Sequence, residues 1–288
     1  MRSSNALWQN FVSYAAGAVR LSALSGHQVI WVATHDSIGL GEDGPTHQPV
    51  ETLAHFRATP NIDVWRPADG NETSAAYLVA LKSKTRPSIL SLSRQNLPNL
   101  EGSTVEKASR GGYVVYEVEG EDLTIVSCGS EVAICLEAAA NLKAEGIKAR
   151  VVSLPSCSVF DRQEESYRLS VLRSGAPIMS VEALSVGFVW APCRCVADSR
   201  CAQTFGWQKY SHEQYGLTGW GSSGPYQKVY QHFGITGSSE DHSCVLLEVE
   251  LILVFRSCCR RKEGCGILQE EGWQCHFSPG EGHQPVNT

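Results

Sequence analysis

Two α/β units built on parallel sheets are the fold class this chain predicts, and three observations carry it. Short apolar runs rich in β-branched residues alternate with segments long enough for helices. The polar, glycine-bracketed stretch 102–112 interrupts that alternation near Thr104, and the alternation then restarts. A chain of 288 residues, 42% of them apolar, has material for two such cores.

Each element follows from its residues. The run HQVIWVA at 27–33 is continuous, β-branched and too short for a helix, so it reads as a strand buried on both faces. A helix over 50–58, a strand at 62–65 (IDVW), a helix over 72–83 and a strand at 88–92 (SILSL) continue the βαβ rhythm. Beyond the linker, a strand at 123–126 (LTIV), a helix over 131–145 and a strand at 149–154 (ARVVSL) repeat it. PIMSV at 177–181 gives one more strand, after which the rhythm breaks.

The net charge of -6 comes from scattered acids and bases without a lysine or arginine block, which argues against a nucleic-acid surface or a polybasic membrane anchor. No apolar run reaches the length of a membrane span, and the opening MRSSN lacks the apolar stretch of a signal peptide, so a cytoplasmic location is expected. None of the 11 cysteines precedes Cys128. Cys128, Cys135 and Cys157 have apolar neighbours, as buried reduced thiols do, whereas the other eight follow Val186. The last hundred residues therefore answer to a different constraint.

The chemistry concentrates in THDSIGLGEDGPTHQ, residues 34–48. Open parallel sheets bind ligands at the carboxyl ends of their strands, and His35 and Asp36 stand just past such an end. Arg94, at the end of SILSLSR, brings a forked cation to the same rim, suited to a phosphate. Gly39 to Gly44 spell G-x-G-x-x-G, but Glu42 and Asp43 would repel a pyrophosphate, and Pro45 and Pro49 delay the helix that should hold it. A polyhydroxylated ligand fits better: Asp43 accepts hydrogen bonds from hydroxyls, while His35 and His47 exchange protons near neutral pH. A loop histidine also serves as a solvated hydrogen-bonder, and Arg94 alone suits a surface ion pair. The combination at neighbouring strand ends is what favours a site.

The wording from Asn10, NFVSYAAGAVRLSALSGHQVIWVATHDSIGLGEDGPTHQPVETLAHFRATPNIDVWRPADGNETSAAYL, followed by PSILSLSRQNLP, closely resembles transketolase. The resemblance runs to about Ser185 and resumes at TFGWQKYSHEQYGLTGWGSSGPYQKVYQHFGITG, residues 204–237, which is similar to the fungal carboxyl-terminal domain. It implies the later half, 10–103, of the parallel sheet of the thiamine-fold, pyrimidine-side domain, joined to a transketolase carboxyl-terminal α/β domain over 104–237. It also implies a thiamine diphosphate and Mg2+ enzyme, homodimeric, that moves a two-carbon ketol unit from a ketose phosphate to an aldose phosphate in the pentose phosphate pathway. By the same resemblance His35 and His47 assist proton movement on the sugar. Asp43 reads a hydroxyl, Arg94 binds the terminal phosphate, and Phe11 and Tyr14 line the aminopyrimidine pocket.

The resemblance also implies losses. Residues 1–9 do not read like the family, and neither the diphosphate and metal domain nor the glutamate that activates the cofactor stands before NFVSYAAG. Asp69-Gly70-Asn71 is a false echo of the metal motif, because it matches the family's RPADGNE turn. No metal ligand is assigned within the chain, and the chain alone is expected to be inactive. The rival expectation is a non-catalytic interaction module or an unstable product of a mispredicted gene.

VGFVWAPCRCVADSRCAQ, residues 186–203, interrupts a family stretch that should run from VEALS into TFGWQKY, and reads as a retained short intron. A metal knuckle of Cys193, Cys195 and Cys201 is the alternative, short of a fourth ligand and of a nearby histidine. Residues 238–288 read as intron-derived and then out of frame, so Cys258, Cys259, Cys265, Cys275 and His276, which could suggest a zinc cluster, are expected to carry no chemistry.

Overall fold

Four parallel strands form the first sheet, in the order β1 (Ser3–Trp8), β2 (Val29–Thr34), β4 (Ser88–Leu92) and β3 (Asp63–Trp65). The structure is a computed structural model and describes residues 3–188, 202–204, 206–237 and 249. A 3-10 stretch, Gln9–Ala15, leads from β1 into α1 (Ala16–Leu24); α2 (Thr52–Arg57) and α3 (Gly70–Lys82) provide the later crossovers. Along β2, Trp31 and Ala33 pack with Val19, Leu53, Phe56 and Ile89, while Ile30 packs with Trp65, Ala76, Ala80 and Leu90. Both faces are covered, which is why the run could be continuously apolar.

The helix of the RPADGNE turn starts where its chemistry dictates. The Asp69 carboxylate accepts from Glu72 N at 2.8 Å, and the Glu72 carboxylate accepts from Ala68 N at 2.7 Å, a reciprocal cap.

The second sheet has the order β10-β8-β6-β7-β5, with β9 pairing β8 outside that path. Its strands are β5 (Tyr113–Tyr116), β6 (Leu123–Ser127), β7 (Ala149–Ser153), β8 (Ile178–Phe188), β9 (Ala202–Thr204) and β10 (Glu213–Leu217). The helices are α4 (Val105–Ala108), α5 (Glu131–Ala144), α6 (Cys157–Asp161), α7 (Glu165–Val171) and α8 (Tyr226–His232). The two expected α/β units are present, but only the first sheet is wholly parallel: in the second, β5 pairs β7 and β9 pairs β8 antiparallel. The 102–112 linker contains α4, whose first turn is capped by Thr104 Oγ1 accepting from Lys107 N at 3.2 Å. Strand β1, the helical stretch after it, β5, α6, α7, β9, β10 and α8 go beyond the elements that the sequence predicts.

Strand β8 continues to Phe188 and turns its end against β9, with Val186 opposite Thr204 and Phe188 opposite Ala202. The proposed intron lies mostly outside the described residues, as do Cys193, Cys195 and Cys201, and so does the tail with its candidate zinc residues. The described cysteines, Cys128, Cys135 and Cys157, are free thiols.

A buried ionic cluster joins the two units. Arg57 grips both Glu182 oxygens, at 2.6 and 2.9 Å. Arg66, fully buried at the end of β3, donates to Asp36 at 2.8 Å, to Glu182 at 3.2 Å, to Cys128 O at 3.1 Å and to Glu131. Burial pushes the Glu182 carboxyl up, but Arg57 and Arg66 outweigh it and hold the group down at about 2. Trp207 completes the shell, its indole N–H donating to Glu182 at 2.6 Å.

Candidate functional site

Strand register builds the site. Trp8, the last residue of β1, lies opposite Thr34, the last of β2, and Thr34 lies opposite Leu92, the last of β4. His35 and Arg94 therefore leave the sheet at one level, on the carboxyl rim where open parallel sheets hold ligands. His35 turns there with φ +64, a left-handed conformation that a non-glycine residue adopts at a cost of about 1 kcal/mol or more. Its neighbours fix it. Asp36, 1% exposed, is tied to Arg66, and Thr34 Oγ1 lies 2.9 Å from His35 Nδ1.

The second histidine repeats the arrangement. Thr46 Oγ1 is 2.8 Å from His47 Nδ1, and Asn10 Nδ2 donates to Thr46 O at 2.7 Å. With Nδ1 engaged on each ring, Nε2 is the nitrogen left to exchange a proton. Each imidazole follows a threonine in sequence, and this paired Thr-His wording is the signal that would have identified the orienting hydroxyls.

The loop between them is shaped by its glycines and by Gln48. Gly41 and Gly44 have φ +86 and +73, which glycine adopts without strain. The buried Gln48 amide donates to Ile38 O and Gly41 O, both at 3.3 Å, closing the loop on itself.

Aromatic rings gather the residues into one wall. The Trp8 ring stacks on His35 at 4.2 Å and 15° and stands edge-on to His47 at 5.4 Å. Phe11 lies 5.3 Å from His47 and 6.1 Å from Tyr14, whose ring is 89% exposed. The structure thus brings Phe11, Tyr14, His35 and His47 together. Asp43 and Arg94 are both exposed and near enough to act on His35 electrostatically. Burial is the first cause that lowers the His35 pKa, Arg94 the second, with Asp43 opposing and His47 adding to the fall. The ring is accordingly biased toward neutral, the form that accepts a proton.

Trp8, Thr34, Thr46 and Gln48 were missing from the sequence reading of the site. Trp8 stood in a stretch that reads like nothing in particular, so only the pairing of β1 with β2 could place it here.

Fold and rim together define the class: a two-unit α/β protein with an aromatic and imidazole wall at the carboxyl ends of the first sheet. The profile of the transketolase pyrimidine-binding domain matches residues 2–99, and that of the transketolase-like carboxyl-terminal domain matches residues 111–236. The chain belongs to the transketolase family. It is 58% identical over 227 residues to transketolase 1 of Candida albicans, covering 79% of this chain and 31% of that protein. It thus spans about a third of the length of the curated relatives it matches. The structure of transketolase from Pichia stipitis in complex with sedoheptulose 7-phosphate aligns with a TM-score of 0.79 at 54% identity, over 88% of this chain and 34% of that one. A split-gene transketolase described as an inactive β4 tetramer aligns with a TM-score of 0.64 at 25% identity, over 85% of this chain and 74% of that one.

Proposed function

We propose that this chain forms the sugar-binding side of a thiamine diphosphate-dependent ketol transfer, moving a two-carbon unit from a ketose phosphate to an aldose phosphate in the pentose phosphate pathway of the cytoplasm. The observation that carries the reading is the rim itself: His35 and His47, each with Nδ1 engaged by a threonine hydroxyl, beside Arg94 and Asp43. The Pichia stipitis relative bound to a sugar phosphate supports it. Among the described residues no helix is long and apolar enough to cross a membrane.

The residues divide the work by chemistry. The Arg94 guanidinium pairs with the terminal phosphate of the sugar, and Asp43 accepts from a hydroxyl further along it. His35 and His47 hold or move a proton at Nε2 on the sugar hydroxyls and carbonyl. The exposed Tyr14 ring beside Phe11 offers an open, flat apolar face, which fits the aminopyrimidine of the cofactor. Thiamine diphosphate, when bound, supplies the carbon nucleophile that breaks the ketose carbon–carbon bond. Among the described residues no group of three or more His, Cys, Asp or Glu side chains could hold a metal. In the same proposal the diphosphate and its Mg2+ are held by residues outside this described set, in the homodimeric assembly or in a partner chain.

The 288 residues alone are proposed to lack turnover, a reading that the inactive β4 tetramer of a similar chain supports. In the same proposal, 10–103 is the later half of the pyrimidine-binding domain and 104–237 the carboxyl-terminal domain. Residues 186–203 are a retained intron within the latter, consistent with Val186 lying beside Thr204. Residues 238–288 are intron-derived and frameshifted. Transcript reads joining Ser185 directly to Thr204 are expected, and abundant mature message retaining the segment would refute that part.

The test of function is ketol transfer from xylulose 5-phosphate to ribose 5-phosphate with thiamine diphosphate and magnesium. The chain alone should give none. Adding the amino-terminal region of a fungal transketolase should give turnover that His47→Ala abolishes. Turnover by the chain alone, or none in the mixture, overturns the proposal.

A further inference from the structure

The loop that carries both histidines is held from the other unit, along its whole length. Near its start, Ser37 Oγ lies 3.3 Å from Tyr230 OH. In its middle, Ser223 Oγ donates to Glu42 O at 2.5 Å. Near its end, Gln48 Nε2 donates to Ser222 O at 2.9 Å, and Ser185 N donates to Val50 O at 2.8 Å.

These contacts are close-fitted as well as polar. A Cβ on Gly221 would stand 1.7 Å from Gln48 Oε1, and one on Gly41 would stand 3.0 Å from Gly224 O. A Cβ on Gly44 would meet Ser223 Cβ at 3.1 Å. Tyr230 also donates to Glu131 at 2.6 Å; Glu131 receives Arg66, and Arg66 holds Asp36, next to His35. The loop is thus gripped on its outer side by 221–230 and on its inner side by the buried ionic cluster. None of the gripping residues belongs to the ring wall at the rim.

We propose that residues 221–230 of the second unit are the positioning element of the histidine loop, with Ser223 and Tyr230 as its positioning residues. They act through the loop and do not touch the sugar. The inference deepens the functional reading above, on which its meaning for catalysis rests, but the holding of the loop is testable without turnover. A loop of this length with three hydrogen bonds to residues 221–230 should lose order locally when that contact is spoiled, while the sheets stay intact.

The experiment is amide hydrogen exchange on the 288-residue chain, with histidine titrations by NMR assigned through His35→Gln. Gly221→Ala should speed exchange in 36–48 about tenfold, with β2, β4 and β6 unchanged. His35 titration should move up toward its ordinary value, because the burial and Arg94 proximity that lower it depend on the loop's shape. Ser223→Ala and Tyr230→Phe remove one hydroxyl each and add no bulk, so they carry the test even if Gly221→Ala fails to fold. Ser223→Thr, which restores the donor, should restore protection. Unchanged exchange and titration in the folded hydroxyl variants overturn the proposal, as does a rise spread over the whole chain. Failure of ketol transfer with an intact, protected loop would instead count against the functional reading.

Discussion

The indole of Trp8 lies nearly parallel to the imidazole of His35, ring centres 4.2 Å apart, at the point where β1 and β2 end side by side. An aromatic pair of this kind contributes about 0.5–1.5 kcal/mol beyond the area it buries. Trp8→Ala should therefore uncover the ring and raise modification of His35 by diethyl pyrocarbonate roughly five- to tenfold, read by peptide mass spectrometry. The exposed His27 and His55 serve as internal references. Equal labelling of His35 in both proteins would show that the indole does not cover it.

Arg94 should have two separable effects. As the proposed phosphate ligand, its loss in Arg94→Ala should weaken ribose 5-phosphate binding by roughly 10- to 100-fold, the value of a charge-assisted contact, and leave ribose binding little changed. As a positive neighbour it lowers the His35 pKa, so the same substitution should raise it. Calorimetry measures the first and NMR titration the second. A rise in the His35 pKa without loss of phosphate selectivity would leave Arg94 near the site and deny it the ligand role.

The buried pair of Arg57 and Glu182 ties α2 of the first unit to β8 of the second. Truncating one member of such a pair leaves the other charge buried and short of partners. Arg57→Ala should cost roughly 3 kcal/mol or more in urea unfolding. Arg57→Lys should recover only part, because one ammonium cannot grip both oxygens as the guanidinium fork does. A loss below roughly 1 kcal/mol for the alanine variant would mean that Arg66 and the Trp207 indole suffice to hold Glu182.

How much of this was legible follows from how local each signal is. The β2 run and SILSL declare themselves, because a strand buried on both faces is apolar at every position. The rim residues His35, His47, Asp43 and Arg94 could be named because strand ends and ligand-bearing side chains are both written in the sequence. Arg66 was passed over: in WRPADG it looks like any arginine before a turn, and its partners Glu131 and Glu182 stand 65 and 116 residues away. The same distance hides the grip of Ser223 on Glu42, 181 residues apart. Strand β1 escaped for a different reason, since SSNALW carries too few β-branched residues to announce itself without β2 beside it.

Glu72 gives the stability of the chain an unusual pH dependence. Its carboxylate accepts from Tyr113 OH at 2.8 Å, Ser153 Oγ at 2.6 Å and Ala68 N at 2.7 Å, linking the cap of α3 to β5 and β7 of the second unit. Burial nonetheless dominates those bonds and pushes the group up from 4.5 to about 7. A raised carboxyl binds its proton more tightly in the folded chain, so its contribution to stability is full below pH 4.5 and is lost as pH rises through about 7. Glu182, held down at about 2, has the opposite sense: its contribution is present above its ordinary value of 4.5 and is lost as pH falls through about 2. The two groups therefore act in windows that do not overlap, and of the two it is Glu72 that changes its contribution between pH 5 and 8. There Glu72→Gln should gain on the wild-type chain by roughly 2.5 kcal/mol as pH rises across that window, in urea unfolding followed at several pH values. A constant difference between the two proteins would mean that Glu72 titrates near its ordinary value, and that the three hydrogen bonds to its carboxylate outweigh its burial.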